Sequence, residues 1–113
     1  MLVPMPSLSW GTPQTQDLFR AVLELRNLGE LKRFFRDLLT ADEIIEFGRR
    51  WAAAQMLAQN VRYVDIQKET GLSSTTVARI SSWLKQGTGG YRLMLKRLGH
   101  HHATLSSPGK AAA

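Results

Sequence analysis

Apolar side chains recur every three or four residues along most of the chain, the spacing at which side chains share one face of an α-helix. No stretch alternates apolar and polar residues as a strand would, and no internal repeat is present. The pattern therefore predicts an all-α fold of about six helices. These helices are expected over about residues 15–27, 29–39 and 40–60, then as a pair within residues 63–84, and last over residues 91–98.

The third helix has the most clearly marked start, because Thr40 and Glu43 stand at the spacing of a capping box, flanked by Leu39 and Ile44 as a hydrophobic staple. The helix then carries two apolar seams. The first contains Ile44, Phe47, Trp51, Ala54 and Ala58, and the second contains Ile45, Ala52 and Met56. Since two seams require two packing partners, we expect a homodimer with an intermolecular core. The alternative is a compact monomer in which the second seam covers the next two helices.

Residues 63–84 have the punctuation of a helix-turn-helix. Ile66 is followed five residues later by Gly71, which tolerates the positive φ that a tight bend between two helices requires. Ser73 is placed to cap the second helix of the pair with its hydroxyl. The pattern predicts that this second helix is a recognition helix of the kind that enters a DNA major groove.

A helical wheel divides the residues of this recognition helix between two jobs. Val77, Ile80 and Leu84 share one side and are expected in the core, whereas Arg79 lies roughly opposite, where its planar guanidinium could read guanine or hold a phosphate. A surface salt bridge for Arg79, and a merely solvated surface for the hydroxyl residues, are the alternatives. The predicted DNA-contacting residues are Gln67, Ser73, Ser74, Thr75, Thr76, Ala78, Arg79, Ser82 and Lys85.

The charge distribution points to the same partner. The chain has 113 residues and a formal net charge of +6. Residues 1–69 contain nine basic and nine acidic side chains, so the whole excess lies in residues 70–113, which contain six basic side chains and no acidic one. A basic surface of this kind favours a polyanion, and we expect double-stranded DNA. A basic tail on a neutral domain is the alternative interpretation.

Other classes of protein find little support in the sequence. The chain has no cysteine and no apolar stretch long enough for a membrane span, and we expect a cytoplasmic protein. We interpret residues 1–14 as a flexible arm, residues 15–98 as the helical domain and residues 99–113 as a disordered tail. His100–His102 lie in that tail without acidic neighbours, and the capping box explains Asp42 and Glu43. We therefore expect no metal site, no cofactor and no enzymatic activity.

The order of helices, the run Leu39–Glu43 with Gly48 and Arg50 after it, and the segment from Gly71 to Lys85 resemble the Trp repressor family. The resemblance extends over residues 15–98 and is strongest to the YerC/YecD-type branch, which has no assigned effector. It implies an intertwined all-helical dimer in which the first three helices and the last interlock. Two helix-turn-helix heads would then read the half-sites of a palindromic operator, one helical turn apart.

The resemblance also locates a possible effector pocket. In relatives that bind tryptophan, the ligand lies near a threonine and two arginines, matched here by Thr40, Arg50 and Arg79. A glycine and a serine that leave room for it are replaced by Ile80 and Trp83. Because both replacements add bulk to a filled site, we expect no control by tryptophan. Trp83 could replace the ligand, with Arg50 or Arg79 stacked on its indole; alternatively, it simply seals the core.

We therefore expect a DNA-binding transcriptional repressor that acts as a homodimer. Two other functions remain compatible with the sequence. One is a transposase-associated or replication-initiator type of DNA-binding domain, although those domains usually belong to longer chains. The other is an interaction or structural oligomer module whose helix-turn-helix reads no DNA sequence.

Overall fold

The computed structural model describes the backbone of residues 11–105 and the side chains of residues 11–99. This part of the chain forms six α-helices and no strand, which confirms the all-α prediction. The helices are α1 (Pro13–Leu23), α2 (Leu28–Leu38), α3 (Ala41–Ala58), α4 (Tyr63–Thr70), α5 (Ser74–Gln86) and α6 (Gly90–Leu105). The chain divides into two compact units, with the boundary between Ile44 and Ile45.

The bounds of α1 differ from the predicted 15–27 because two side-chain caps determine them. The Thr12 hydroxyl accepts a hydrogen bond from the Thr15 N–H at 3.2 Å, and Pro13 follows in the first helical turn, so the helix starts earlier than expected. At the other end, the Asn27 side chain caps α2 by accepting from the Glu30 N–H at 2.9 Å. Because a capping residue has extended backbone, here with φ −157°, α1 cannot continue to Asn27.

Both ends of α3 are closed by specific hydrogen bonds. The predicted capping box is confirmed, since the Thr40 hydroxyl accepts from the Glu43 N–H at 3.1 Å and the Glu43 carboxylate accepts from the Thr40 N–H at 2.9 Å. At the C-terminus, Asn60 adopts φ 62°, and the Val61 N–H donates to the Met56 carbonyl at 3.0 Å. This is the pattern of a Schellman motif. It ends the helix at Ala58, slightly before the predicted Asn60.

The core of the second unit joins α3 to the helix-turn-helix. Two alanines of α3, Ala53 and Ala54, are fully buried and belong to one apolar cluster with residues from the following helices. A side chain that ends at Cβ lets neighbouring helices pack closely against α3. The other buried members of the cluster are Ile66, Leu72, Val77 and Ile80. Part of the predicted first seam of α3 therefore packs within the same chain, with Ala53 added to it.

Much of the remaining apolar surface is not covered within one chain. Helices α1 and α2 contain no buried residue. On α3, Ile45 and Phe47 from the two predicted seams are 50% and 49% exposed. Leu23 on α1 and Leu28 on α2 are still more open, at 82% and 63%. Such accumulation of exposed large apolar side chains is typical of an interaction surface.

The last helix is longer than expected. Helix α6 continues through Gly99 to Leu105, whereas the sequence predicted an end at Leu98 and a disordered tail from residue 99. A glycine inside a helix costs only about 1 kcal/mol, which does not by itself end the helix. The side chains of His100–His102 and all of residues 106–113 lie outside the described residues, as do residues 1–10 of the predicted arm.

Candidate nucleic-acid interface

A left-handed glycine connects the two helices of the helix-turn-helix. Gly71 has φ 79° and ψ 4°, and its N–H donates to the Gln67 carbonyl at 2.8 Å. This confirms the predicted role of Gly71 as the residue that permits the turn. The neighbouring Thr70 is buried, and sequence reasoning missed it. Its hydroxyl donates to the Ile66 carbonyl at 2.7 Å and accepts from the Leu72 N–H at 3.2 Å, which satisfies both backbone groups inside the turn.

The start of α5 presents backbone donors to solvent. The Ser73 hydroxyl caps the helix, as predicted, by accepting from the Thr76 N–H at 3.1 Å, and it donates to the Thr76 hydroxyl at 3.1 Å. The N–H groups of Ser74 and Thr75 have no acceptor within the described part of the chain. Free N–H groups at a helix N-terminus, together with the positive end of the helix dipole, suit a phosphate oxygen.

The two sides of α5 are separated as the helical wheel predicted. Val77 and Ile80 are fully buried, whereas Leu84, the third predicted core residue, is half-buried. The predicted groove-facing residues Thr75, Ala78, Arg79 and Ser82 are all exposed. We call these four residues the reading face. Of the other predicted DNA contacts, Ser73, Ser74 and Lys85 are exposed, and Gln67 and Thr76 are half-buried.

Arg79 is free to meet a ligand. Within residues 11–99 the ion pairs are Arg20–Asp17, Arg50–Glu46 and Arg62–Asp65, each between neighbours on one helix or its cap. Arg79 takes part in none of them, and no acidic residue follows Glu69 in the sequence. The alternative interpretation of Arg79 as a surface salt bridge therefore finds no acidic partner in the described structure.

The residues of the possible effector pocket have other roles in this chain. The Thr40 hydroxyl caps α3, and Arg50 forms an ion pair with Glu46 at 3.3 Å. Ile80 belongs entirely to the core of the helix-turn-helix. Trp83 is 44% exposed and does not belong to the buried cluster of that core. Between residues 11 and 99, no aromatic or cation–π contact joins Trp83 to Arg50 or Arg79.

An aromatic pair anchors the start of α6. The Tyr91 ring stacks on the Trp51 ring of α3, with centroids 6.3 Å apart and an angle of 19° between the planes. Burial raises the pKa of the Tyr91 phenol above its ordinary value, and the nearby positive charge of Arg50 partly opposes this shift. The phenol is therefore neutral at physiological pH, and α6 starts from a fixed point on α3.

The described part of the chain offers little to other kinds of chemistry. None of its helices is both long and apolar enough to cross a membrane. Within the same residues, no group of three or more His, Cys, Asp or Glu side chains could hold a metal ion.

This architecture, with two short helices joined through a left-handed glycine and mounted on a longer helix, defines an all-α helix-turn-helix protein. A family model described as Trp repressor protein matches residues 13–99. The chain belongs to the Trp repressor family, whose members generally bind DNA and form dimers.

Individual relatives are similar over nearly their whole length. The uncharacterized protein YerC of Bacillus subtilis (strain 168) is 35% identical over 94 residues, which cover 83% of this chain and 90% of that protein. A TrpR-like protein from Eubacterium eligens ATCC 27750, known from its crystal structure, has 37% sequence identity to this chain and a TM-score of 0.76. The match covers 80% of this chain and 93% of that one. A solved structure of a protein from Staphylococcus aureus has 32% sequence identity to this chain and a TM-score of 0.75, and the match covers 82% of this chain and 96% of that one.

The turn geometry predicts that Gly71→Ala lowers the free energy of unfolding by about 1–2 kcal/mol, because an L-residue is strained in the left-handed region. No atom lies within 4 Å of the position that a Cβ would occupy, so the loss would come from the backbone and not from a clash. Urea denaturation, monitored by circular dichroism, measures this loss in the free energy of unfolding.

Gly99→Ala is the matched control. Gly99 also has open space around its Cβ position but lies within helix α6. There, alanine should leave stability unchanged or raise it by up to about 1 kcal/mol. Equal effects of the two substitutions would contradict the assignment of a special turn role to Gly71.

Proposed function

We propose that this protein is a transcriptional repressor that binds a palindromic DNA operator as a homodimer, through the reading face of α5. The observation that carries the proposal is Arg79 on that face, which is exposed and has no ion pair among residues 11–99, while Val77 and Ile80 of the same helix are buried. A guanidinium in this position can donate two hydrogen bonds to guanine in the major groove. The function proposed is binding and not catalysis.

The other members of the reading face suit the same task. The hydroxyls of Thr75 and Ser82 can donate to or accept from base edges, and the methyl group of Ala78 can contact a thymine methyl. The exposed N–H groups of Ser74 and Thr75 and the ammonium of Lys85 are placed for backbone phosphates. Gln67 on α4 is half-buried, so its contribution to such contacts would be smaller.

The charge distribution favours a nucleic-acid partner over an apolar protein partner. From the turn onwards, the chain carries only positive side chains. Each phosphate that such a surface neutralises releases counterions, so binding should weaken steeply with salt. A protein partner bound through an apolar groove would lack this dependence. A salt titration therefore separates DNA binding from the alternative role as an interaction module.

The homodimer is supported by the uncovered apolar surface. Helices α1 and α2 bury no residue within one chain, and Ile45 and Phe47 leave half of their surfaces exposed on α3. A second copy that covered these side chains would gain roughly 25 cal/mol for each Å² of apolar surface removed from water. Two copies would also present two recognition helices, which is what a palindromic site requires.

Selection of bound sequences from random DNA tests the proposed function directly. We expect a palindromic consensus whose half-sites are about one helical turn apart, and a dimer by sedimentation equilibrium at the same protein concentration. A consensus with a single half-site would contradict the dimeric arrangement. Absence of any enriched sequence would overturn the repressor proposal and favour the interaction module.

Arg79→Ala should cost about 1–3 kcal/mol of operator-binding free energy and relax the sequence preference at one base pair in each half-site. The reason is the loss of the bidentate contact to guanine. Fluorescence anisotropy with the selected operator and single-base variants measures both effects.

Lys32→Ala is the control, since it removes the same charge from an exposed position on α2, outside the helix-turn-helix. It should lower affinity little and leave the base preference unchanged. If Arg79→Ala weakened all operator variants equally, the contact of Arg79 would be with a phosphate and the base-reading role would be wrong.

Operator binding should not depend on tryptophan. The fully buried Ile80 and the bulky Trp83 stand where tryptophan-binding relatives are expected to have small residues. Isothermal titration of L-tryptophan into the protein should show no heat of binding, and the affinity for the operator should be the same with and without the amino acid. Binding at micromolar ligand would contradict the prediction.

A further inference from the structure

The C-terminal end of the recognition helix has no left-handed capping residue. A helix leaves its last four carbonyl groups without partners, and these are commonly satisfied by a left-handed residue just beyond the end. Here the residue after α5 is Gly87, and its backbone is extended, with φ −82° and ψ −157°. Its N–H donates to the Trp83 carbonyl at 2.8 Å. The carbonyls of Leu84 and Lys85 gain no backbone partner from this turn.

A side chain from the next helix supplies what is missing. The Arg92 guanidinium donates through Nε to the Leu84 carbonyl at 2.8 Å and through Nη2 to the Lys85 carbonyl at 2.7 Å. The planar fork of an arginine can bridge two adjacent acceptors in this way, whereas the single ammonium of lysine cannot match it. Its positive charge also lies at the negative end of the dipole of α5. In the sequence, Arg92 is one of the six basic side chains of residues 70–113, and nothing there distinguishes it from the others.

The loop between the two helices is shaped to permit this return. A Cβ on Gly87 would clash with the Trp83 carbonyl oxygen, so the chain can pass close to the end of α5 only with glycine there. The next residues lead into α6, where Tyr91 stacks on Trp51 of α3. Adjacent residues of α6 thus make contact with two different helices, Tyr91 with α3 and Arg92 with α5.

We infer that Arg92 is a positioning residue for DNA recognition, which holds the end of the recognition helix to α6 instead of contacting DNA. This inference rests on the proposed DNA-binding function. The two hydrogen bonds at the C-terminal end and the buried Val77 and Ile80 restrain α5 at separate points along its length. Restraint at separate points limits rotation and tilt of the reading face. Base contacts depend on such orientation more than contacts to the phosphate backbone do.

Three variants test the inference: Arg92→Gln, Arg92→Lys and, as control, Lys96→Gln. Lys96 is an exposed cation one turn further along α6, without a side-chain hydrogen bond or ion pair among the described residues. For each folded variant, anisotropy gives the affinity for the operator selected by the wild type and for random DNA, over a range of salt concentrations. Thermal unfolding is measured in parallel.

We expect Arg92→Gln to weaken operator binding about five- to tenfold, the effect of losing two charge-assisted hydrogen bonds at a solvent-exposed position. Binding to random DNA and the salt dependence should change no more than they do in Lys96→Gln. Arg92→Lys keeps the charge at the helix end but cannot span both carbonyls, so it should recover only part of the lost affinity. The ratio of specific to non-specific affinity is the quantity that a positioning role lowers.

Two results would overturn the inference while leaving the proposed function intact. If Arg92→Gln weakened operator and random DNA equally and reduced the salt slope by about one, Arg92 would be a phosphate contact. If Arg92→Gln lowered the melting temperature but the folded protein bound the operator as the wild type does, its role would be structural alone. A wild-type protein that selects no DNA sequence would instead overturn the repressor proposal and this inference together.

Discussion

The helix-turn-helix of this protein depends on one buried apolar cluster, which joins side chains of very different size from α3, α4, the turn and α5. On α3, the buried members of this cluster are Ala53 and Ala54, which extend no further than Cβ. On the other side, Ile66, Val77 and Ile80 fill the space between the helices and are fully buried. Larger residues at the alanine positions would push α4 and α5 away from α3, since protein interiors accommodate added volume poorly. The outward direction of the reading face is a consequence of this inward packing.

The restraints on α5 act at its two ends and on its buried side. The Ser73 cap restrains its N-terminal end, and the Arg92 guanidinium restrains its C-terminal end. Between the two ends, the burial of Val77 and Ile80 holds the helix in the core. Arg79 meanwhile has no ion pair within the described part of the chain. A free guanidinium on a restrained helix loses less conformational entropy on binding than one on a mobile segment would. Stability and the proposed DNA recognition thus use opposite sides of the same thirteen-residue helix.

How much could be predicted from the sequence depended on whether the physical cause was local. Gly71, the capping box of Thr40 and Glu43, and the Ser73 cap were predictable, because each involves neighbours within a few residues. The bounds of α1 and α2 were less well predicted, since the apolar stripe does not show that Asn27 serves as a cap. The roles of Ala53 and Thr70 were missed. Alanine carries a weak periodic signal, and a threonine before glycine resembles an ordinary surface residue.

The sequence by itself determined the helical class, the place of the turn and the two sides of α5, which follow from periodicity and local hydrogen bonding. The resemblance of its motifs indicated the Trp repressor family, to which the chain belongs. Only the tertiary structure decided what each of the similar basic residues does. Among residues 11–99, Arg79 is exposed and forms no ion pair, Arg50 pairs with Glu46, and Arg92 caps a helix that precedes it in the chain. The clearest case is Arg92, whose two acceptors, the carbonyls of Leu84 and Lys85, belong to the preceding helix. A guanidinium carries the same charge and the same donors wherever it stands, so its position alone selects its partner.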